Sequence, residues 1–233
     1  MTDQPDTRRQ PLKLGPLTLI LTAMAVLAGT GAITAELLDA EGLAYILKPV
    51  TIALIIVIAF VSLDVPSRIY KWAIIIGLTL SMAGDVLLML PQDLFLWGLI
   101  AFALAQLAYT SAFVNVGGFY GNVKSAIPFL LFGIFMAALL WSGMQEDGML
   151  VPALVYLVII LVMAWQGYGH WRQTGETRSK LAFIGVLLFV ASDSFLALNR
   201  FVYDLENLAP ILILGTYYPA QWLIAQSAGR KHM

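Results

Sequence analysis

Eight long apolar segments, separated by charged residues, proline and glycine, constrain this chain more than any other feature. They lie near residues 16–34, 43–63, 69–90, 94–116, 124–143, 149–169, 179–200 and 209–229. Each has about 20 residues, which as a helix cross the roughly 30 Å of hydrocarbon in a bilayer. Barrel strands are only about 10 residues long and alternate polar with apolar side chains, which these segments do not. The sequence therefore predicts an all-α, polytopic membrane protein with eight transmembrane helices.

The composition and the short connections agree with a membrane domain and little else. Of the 233 residues, 60% are hydrophobic and only 12% are charged, against about 25% charged in a soluble domain. The first apolar segment is too long for the core of a cleaved signal peptide, so it is predicted to remain as a helix. We expect a cytoplasmic tail at 1–15, one eight-helix domain at 16–229 and a second cytoplasmic tail at 230–233.

The charges between the segments predict the orientation. One side carries the basic residues Arg8, Arg9, Lys13, Arg68, Lys71, Lys124, Arg172, Arg178, Lys180, Arg230 and Lys231. The other side carries Glu36, Asp39, Glu41, Asp93, Glu146, Asp147, Asp204 and Glu206, with Arg200 as its basic residue. Lysine and arginine mark the cytoplasmic side of a membrane protein. Both termini are therefore predicted to be cytoplasmic, in a multi-pass protein of the inner (plasma) membrane if the source is bacterial.

Two aspartates interrupt the apolar segments. Asp193 lies within FVASDSFLALNRF at 189–201, and Asp85 lies within SMAGDVLLML at 81–90. A carboxylate in a lipid-spanning helix costs several kcal/mol unless it faces protein or water, so it indicates a functional site.

Other polar residues are predicted at the same depth as these aspartates. Counted from the non-cytoplasmic helix ends at 1.5 Å per residue, a group of five lies roughly 8–14 Å inside that face: Lys48, Asp85, Asp193, Tyr217 and Tyr218. Asn199, Arg200 and Glu36 lie above them at the rim, and Gln221 lies deeper. Singly, Lys48 and Arg200 can reach to the membrane surface, and the tyrosines can belong to an aromatic belt. Together they predict one polar cavity that opens on the non-cytoplasmic side.

The residue types limit the chemistry of such a cavity. The histidines, His170 and His232, are both predicted at the cytoplasmic face, which excludes a Ser-His-Asp triad. With no cysteines, thiolate nucleophiles and cysteine zinc sites are excluded. No nucleotide-binding fingerprint is present, and no basic cluster suggests a nucleic-acid partner. What remains is acid–base catalysis by a carboxylate pair, or the movement of protons or ions.

Four motifs resemble one family along nearly the whole chain from the second segment onward. They are GDVLLML, the segment from Leu94 to Tyr109, SDSFLALNRF, and LGTYYPAQWLIAQS at 214–227. They are similar to the YhhN-like membrane proteins, which include the mammalian TMEM86 lysoplasmalogenases. The resemblance implies eight helices, no metal or organic cofactor, and hydrolysis of the vinyl ether bond of lysoplasmalogens, with a lysophospholipid substrate in the bilayer.

The resemblance also implies site residues. Asp85 and Asp193 stand at the family's aspartate positions, and six further residues lie within its motifs: Lys48, Asn199, Arg200, Tyr217, Tyr218 and Gln221. We expect one aspartate to protonate the vinyl ether and the other to activate water, with Asp193 as the acid and Asp85 as the base, although the sequence leaves this order open. Arg200 and Tyr217 are expected to hold the headgroup phosphate. The alternatives are a proton-coupled lipid or small-molecule transporter and a lipid-binding protein without chemistry.

Overall fold

Eight α-helices account for most of the protein. The computed structural model describes residues 15–61 and 67–228. The helices are α1 (Pro16–Leu37), α2 (Glu41–Val61), α3 (Arg68–Met89), α4 (Phe95–Gly117), α5 (Ile127–Glu146), α6 (Leu150–Thr174), α7 (Thr177–Phe201) and α8 (Leu208–Ser227), with a 3₁₀ turn at Val123–Ala126 before α5. All eight are long and apolar enough to cross a membrane. The predicted class and helix count are confirmed, and the chain is a multi-pass membrane protein.

The helix ends follow from local sequence signals. Pro16 opens α1, where a proline costs no hydrogen bond because the first N–H groups have no helical partner. Gly118 and Gly175 follow the last residues of α4 and α6 with positive φ of 76° and 67°, a conformation that glycine adopts without strain. The sequence predicted the end of α6 five residues too early, because the polar residues of its last turn look like a loop. The predicted tails at 1–15 and 230–233 lie outside the described residues apart from Gly15.

The last helix, α8, packs against the first, α1. Each of the pairs α1–α2, α3–α4 and α7–α8 packs along its length, and α6 packs on both α4 and α7. Near the end of α8, the Trp222 indole donates to Thr22 of α1 at 3.0 Å. Ser227 of α8 lies 2.7 Å from the Tyr70 hydroxyl of α3. The start of α1 and the end of α8 therefore lie at the same end of the bundle.

The two ends of the bundle differ in charge. At one end, the connections carry Asp39, Asp93, Asp147 and Asp204; we call this the acidic end. The other end carries Arg68, Lys124, Arg172 and Lys180, with Glu176 among them. This is the separation that the sequence predicted. Which end faces the cytoplasm stays a prediction from the charges.

Two glycines allow α3 and α4 to pack closely near Asp85. A methyl group added at Gly84 would lie 2.7 Å from the Phe102 ring, and one added at Gly98 would lie 2.6 Å from Leu88. Only glycine leaves room for these contacts, as is common where membrane helices approach closely. Gly84 directly precedes Asp85, so this close packing fixes the helix turn that carries the aspartate.

Candidate active site

A polar cavity lies inside the acidic end, as the sequence predicted. It has a volume of about 310 Å³. Six helices line it, with the following residues: Glu36, Lys48, Asp85, Leu88, Met89, Phe102, Ser192, Asp193, Leu196, Asn199, Ala209, Pro210, Ile213, Leu214 and Tyr217. Asp85 and Asp193 thus face one space from different helices. Among the described residues that line it, Lys48 is the one cation.

Asp85 is held by a tyrosine of α8. The Tyr217 hydroxyl donates to Asp85 Oδ2 at 2.7 Å. The Tyr217 ring is fixed by edge contacts with Phe102 and Phe189, with ring centroids 6.0 and 5.8 Å away. Because two rings restrain it, this phenol is a rigid donor that holds the Asp85 carboxyl in one orientation.

Asp193 is held by a tyrosine and a glutamine. The Tyr156 hydroxyl of α6 donates to Asp193 Oδ2. The Gln106 amide of α4 donates to the same Oδ2 at 3.3 Å and to the Tyr156 oxygen at 2.5 Å. Both bonds to Asp193 fall on one oxygen, which leaves Oδ1 outside this network. Each aspartate therefore lines the cavity and accepts a hydrogen bond from its own phenol through one carboxyl oxygen.

A further hydrogen-bonded group supports the floor of the cavity. The Tyr109 hydroxyl donates to Gln221 Oε1 at 2.7 Å and lies 3.4 Å from the Ser81 hydroxyl. Gln221 and Tyr218 are both buried and do not line the cavity. The structure thus places Gln221 deeper than the aspartates, as predicted, in a position to support the helices rather than to touch a ligand.

An ion pair lies at the mouth of the cavity. Lys48 of α2 pairs with Glu36 of α1, and both side chains line the cavity. Asn199 also lies at this rim, where its side-chain oxygen accepts the Leu205 N–H at 2.9 Å and so orders the connection between α7 and α8. Lys48 is therefore the positive charge that a ligand in the cavity would meet, and its ion pair with Glu36 holds it in place.

Arg200 is occupied by two carboxylates. Its guanidinium binds Asp147 through Nε and Nη2 at 3.0 and 3.1 Å. It binds Asp93 through Nη1 and Nη2 at 3.2 and 3.0 Å, and it lies 4.9 Å from the centre of the Phe95 ring. Arg200 does not line the polar cavity. It joins the α3–α4 and α5–α6 connections to the end of α7, so a phosphate at this arginine would have to displace a bidentate carboxylate.

Beside the polar cavity lies a narrow apolar one, which we call the slot. It lies among α4, α5, α6 and α7 and has a volume of about 70 Å³. Leu88, Phe102, Asp193 and Leu196 line both the slot and the polar cavity. Asp193 therefore lies where an apolar space meets a polar one, whereas Asp85 faces the polar space alone.

The described residues offer no cluster that would hold a metal ion. Within residues 15–61 and 67–228, no three His, Asp or Glu side chains lie together in that way. His170 lies near the basic end, with its ring stacked on Phe113 at 5.6 Å. The chemistry available to the cavity from these side chains is proton transfer by two carboxyls, supported by tyrosine hydroxyls and one lysine.

Tyr156 and Gln106, which contact Asp193, are not among the site residues predicted from the sequence. Tyr156 lies among apolar residues in the sixth segment and looks like a packing residue. Gln106 lies within the resembling segment Leu94–Tyr109, but no role was assigned to it. A buried amide in a membrane helix is costly without a partner, and that cost is the signal that could have found Gln106.

Comparison with known proteins gives consistent relatives. Lysoplasmalogenase TMEM86B of Homo sapiens is 34% identical over 171 residues, which are 71% of this chain and 67% of that protein. The protein of the same name from Rattus norvegicus is 32% identical over 170 residues, 71% of this chain and 65% of that protein. The chain therefore covers just under two thirds of the length of the rat relative.

A bacterial relative is matched over more of its length. The Escherichia coli membrane protein YhhN is 24% identical over 185 residues, 78% of this chain and 86% of that protein. No solved structure matches the chain. The model of the YhhN family matches residues 43–228, which hold α2 apart from its first two residues, all of α3 to α8 and both aspartates. On this match, the chain belongs to the YhhN family.

Proposed function

We propose that the protein is a membrane-embedded hydrolase that cleaves the vinyl ether bond of lysoplasmalogens, giving a fatty aldehyde and a glycerophospho-headgroup. The observation that carries the proposal is the position of Asp85 and Asp193 on one polar cavity, each held by its own tyrosine. The mammalian relatives are named lysoplasmalogenases, which supports the same reaction class.

Protonation of carbon is the slow step in hydrolysis of a vinyl ether. In our proposal Asp193 is the acid and transfers its proton from Oδ1 to the β-carbon, and the α-carbon and oxygen become an oxocarbenium ion. Oδ2 accepts hydrogen bonds from Tyr156 and Gln106, so the proton belongs on Oδ1. Glycosidases meet a similar cation with a pair of carboxyl groups.

Asp85 is the base in this scheme. It takes a proton from the water that attacks the α-carbon, which gives a neutral hemiacetal. The hemiacetal hydroxyl then returns a proton to Asp193, and Asp85 gives its proton to the departing glycerol oxygen as that carbon–oxygen bond breaks. Both aspartates regain their starting states, and the sum is one lipid plus one water giving one aldehyde and one alcohol.

The headgroup belongs at the rim of the polar cavity. Lys48 is the cation that lines this cavity, so we assign the phosphate to Lys48, with Asn199 beside it. The sequence had suggested Arg200 for this role, but Arg200 does not line the cavity, and its guanidinium binds both Asp93 and Asp147. We therefore propose that Arg200 holds the connections at the acidic end in place.

The test of the proposal is aldehyde release from a 1-alkenyl lysophospholipid by the purified protein in detergent. The matching 1-alkyl lysophospholipid is the control, because it lacks the double bond that accepts the proton. In D₂O the aldehyde, trapped by reduction, is expected to carry one solvent deuterium on the former β-carbon. An intact alkenyl lipid with a folded protein would contradict the proposal, and flux across proteoliposomes would then favour a transporter.

Removal of the Tyr156 hydroxyl is expected to slow catalysis more than binding. In Tyr156→Phe, Asp193 loses its phenol donor, so its carboxyl is less well aligned with the carbon it protonates. We expect kcat to fall by about 10- to 100-fold with KM nearly unchanged, since misalignment of a catalytic group costs about this much. Steady-state kinetics of aldehyde release measure both constants.

Tyr168→Phe is the matched control for this substitution. Tyr168 lies on the same helix, three turns further along, where its ring packs on Tyr120 and Phe183. Its loss of a hydroxyl should leave kcat within about twofold of the wild type, as for most substitutions away from a site. An equal fall in kcat for both variants would show that the effect belongs to α6 in general.

A further inference from the structure

The proposed function assigns no part of the substrate to the slot. We propose that it binds the hydrocarbon chain of the substrate and holds the reacting end of that chain against Asp193. This inference rests on the proposed function and deepens it, because it names the part of the substrate that each of the two connected cavities takes.

The lining of the slot suits a hydrocarbon chain. Its walls are mainly Leu, Phe, Met, Val, Ile and Ala side chains, and Asp193 is the one ionisable carboxyl among the described residues that form them. The Ser194 hydroxyl donates to the Val190 carbonyl at 2.7 Å, so it is satisfied within α7. The Tyr156 hydroxyl is used by Asp193. A polar group placed in the slot would therefore lose its water without gaining a partner.

The shape of the slot fits one chain running along the helices. Slot residues of α5 extend from Phe132 to Met144, which is about 18 Å along the helix axis. This length and the apolar lining suit a hydrocarbon chain that lies along the helix axis.

At the acidic end of the slot, two aromatic rings and Arg200 lie together. Phe95 and Phe201 line it, contact each other edge to face at 5.7 Å, and are covered by Arg200 over Phe95. Phe132, at the other end, also lines the slot and is 37% exposed on the outer surface of the bundle. We therefore expect the chain to leave Asp193 away from these rings, past Ala137 and Met136 towards Phe132.

This direction agrees with the geometry of a lipid in a bilayer. The headgroup would lie at the rim beside Lys48, near the level where headgroups lie in the membrane. The reacting carbons would lie at Asp193, where the two cavities meet. The remaining chain would point inwards, as it does in the surrounding bilayer, so the lipid can enter sideways without turning over.

Two neighbouring alanines of α5 provide a matched test. Ala137 lines the slot, whereas Ala138, the next residue, is exposed on the outer surface of the helix. We expect Ala137→Phe to reduce kcat/KM for long-chain 1-alkenyl lysophospholipids by about 100-fold, because the chain can no longer seat its reacting end. Ala138→Phe should stay within about twofold. If Ala137→Phe unfolds in detergent, Ala137→Leu narrows the slot at the same position with a smaller side chain.

Photolabelling tests the same inference without any catalysis. The probe is a 1-alkyl lysophospholipid with a diazirine in its chain, which the enzyme should bind but not cleave. We expect labelled peptides to carry the slot residues Met136 or Ile160 in the wild type, in Asp193→Asn and in Ala138→Phe, with the label lost in Ala137→Phe. Equal labelling of both alanine variants, or label only on the outward residues Ile134 and Phe135, would overturn the slot as the chain site. Slot labelling without aldehyde release would refute the proposed function and leave the chain site standing.

Discussion

Asp193→Asn is expected to lower aldehyde release by at least about 10³-fold while the protein remains folded. The asparagine oxygen can still accept the hydrogen bonds of Tyr156 and Gln106, so the contacts among α4, α6 and α7 survive. An amide cannot deliver an acidic proton to carbon, and the loss of general acid catalysis costs up to about 10⁴-fold. Single-turnover assays of aldehyde release measure the chemical step, and thermal unfolding in detergent reports the fold.

Asp204→Asn is the control for this change. Asp204 is exposed on the α7–α8 connection, where its Oδ1 accepts the Glu206 N–H at 2.9 Å, and the amide oxygen can replace it there. Its activity should match that of the wild type. Full activity in a folded Asp193→Asn protein would remove Asp193 from the mechanism, and a similar loss in both variants would point to general damage.

The sequence could predict the number of helices and the depth of each side chain, because both depend only on position along the helix axis. Hydropathy gives the spans, and a rise of 1.5 Å per residue gives the depth of each side chain. From these alone, Asp85, Asp193, Lys48 and Tyr217 were predicted in one layer, and all four line the same cavity. The rotation of each helix was the unknown, and the close packing at Gly84 and Gly98 is part of what sets it.

The unknown rotation of each helix also explains why depth alone could not tell which residues line the cavity. Tyr218 lies at the depth of the aspartates and Gln221 about one turn deeper, and both are buried without lining the cavity. Tyr156 lies in a helix that supplied no ionisable group to the prediction, and it reaches Asp193 only because α6 packs against α7. Depth fixes which residues can meet, and helix rotation decides which of them do.

Arg200 shows a second limit, which concerns the connecting segments. Its partners Asp93 and Asp147 lie in two short connections far apart in sequence. No periodic pattern gives the position of a turn residue, so these carboxylates counted only as surface charges in the orientation argument. Their convergence on one guanidinium changes the role proposed for Arg200 from headgroup binding to holding the acidic end together.

Asp85→Asn carries the second large expected effect, a fall in turnover of about 10²- to 10³-fold. Asp193 can still protonate the lipid, but the carboxylate that is placed to take the proton of the attacking water is gone. The asparagine oxygen can keep the Tyr217 hydrogen bond, so the helix contacts between α3 and α8 should persist. Single-turnover aldehyde release measures the effect, and thermal unfolding in detergent again serves as the check on the fold.

Added formate distinguishes the base from the acid. In Asp85→Ala and Asp193→Ala the carboxyl is removed outright, and the polar cavity of about 310 Å³ has room for a formate ion. At neutral pH formate is ionised, so it can replace a missing base but cannot donate the proton that a missing acid would supply. We therefore expect formate to restore part of the activity of Asp85→Ala and none of that of Asp193→Ala. The opposite pattern would exchange the two roles while keeping the carboxyl pair, because only the residue whose ionised form is needed can be replaced by an anion from solution.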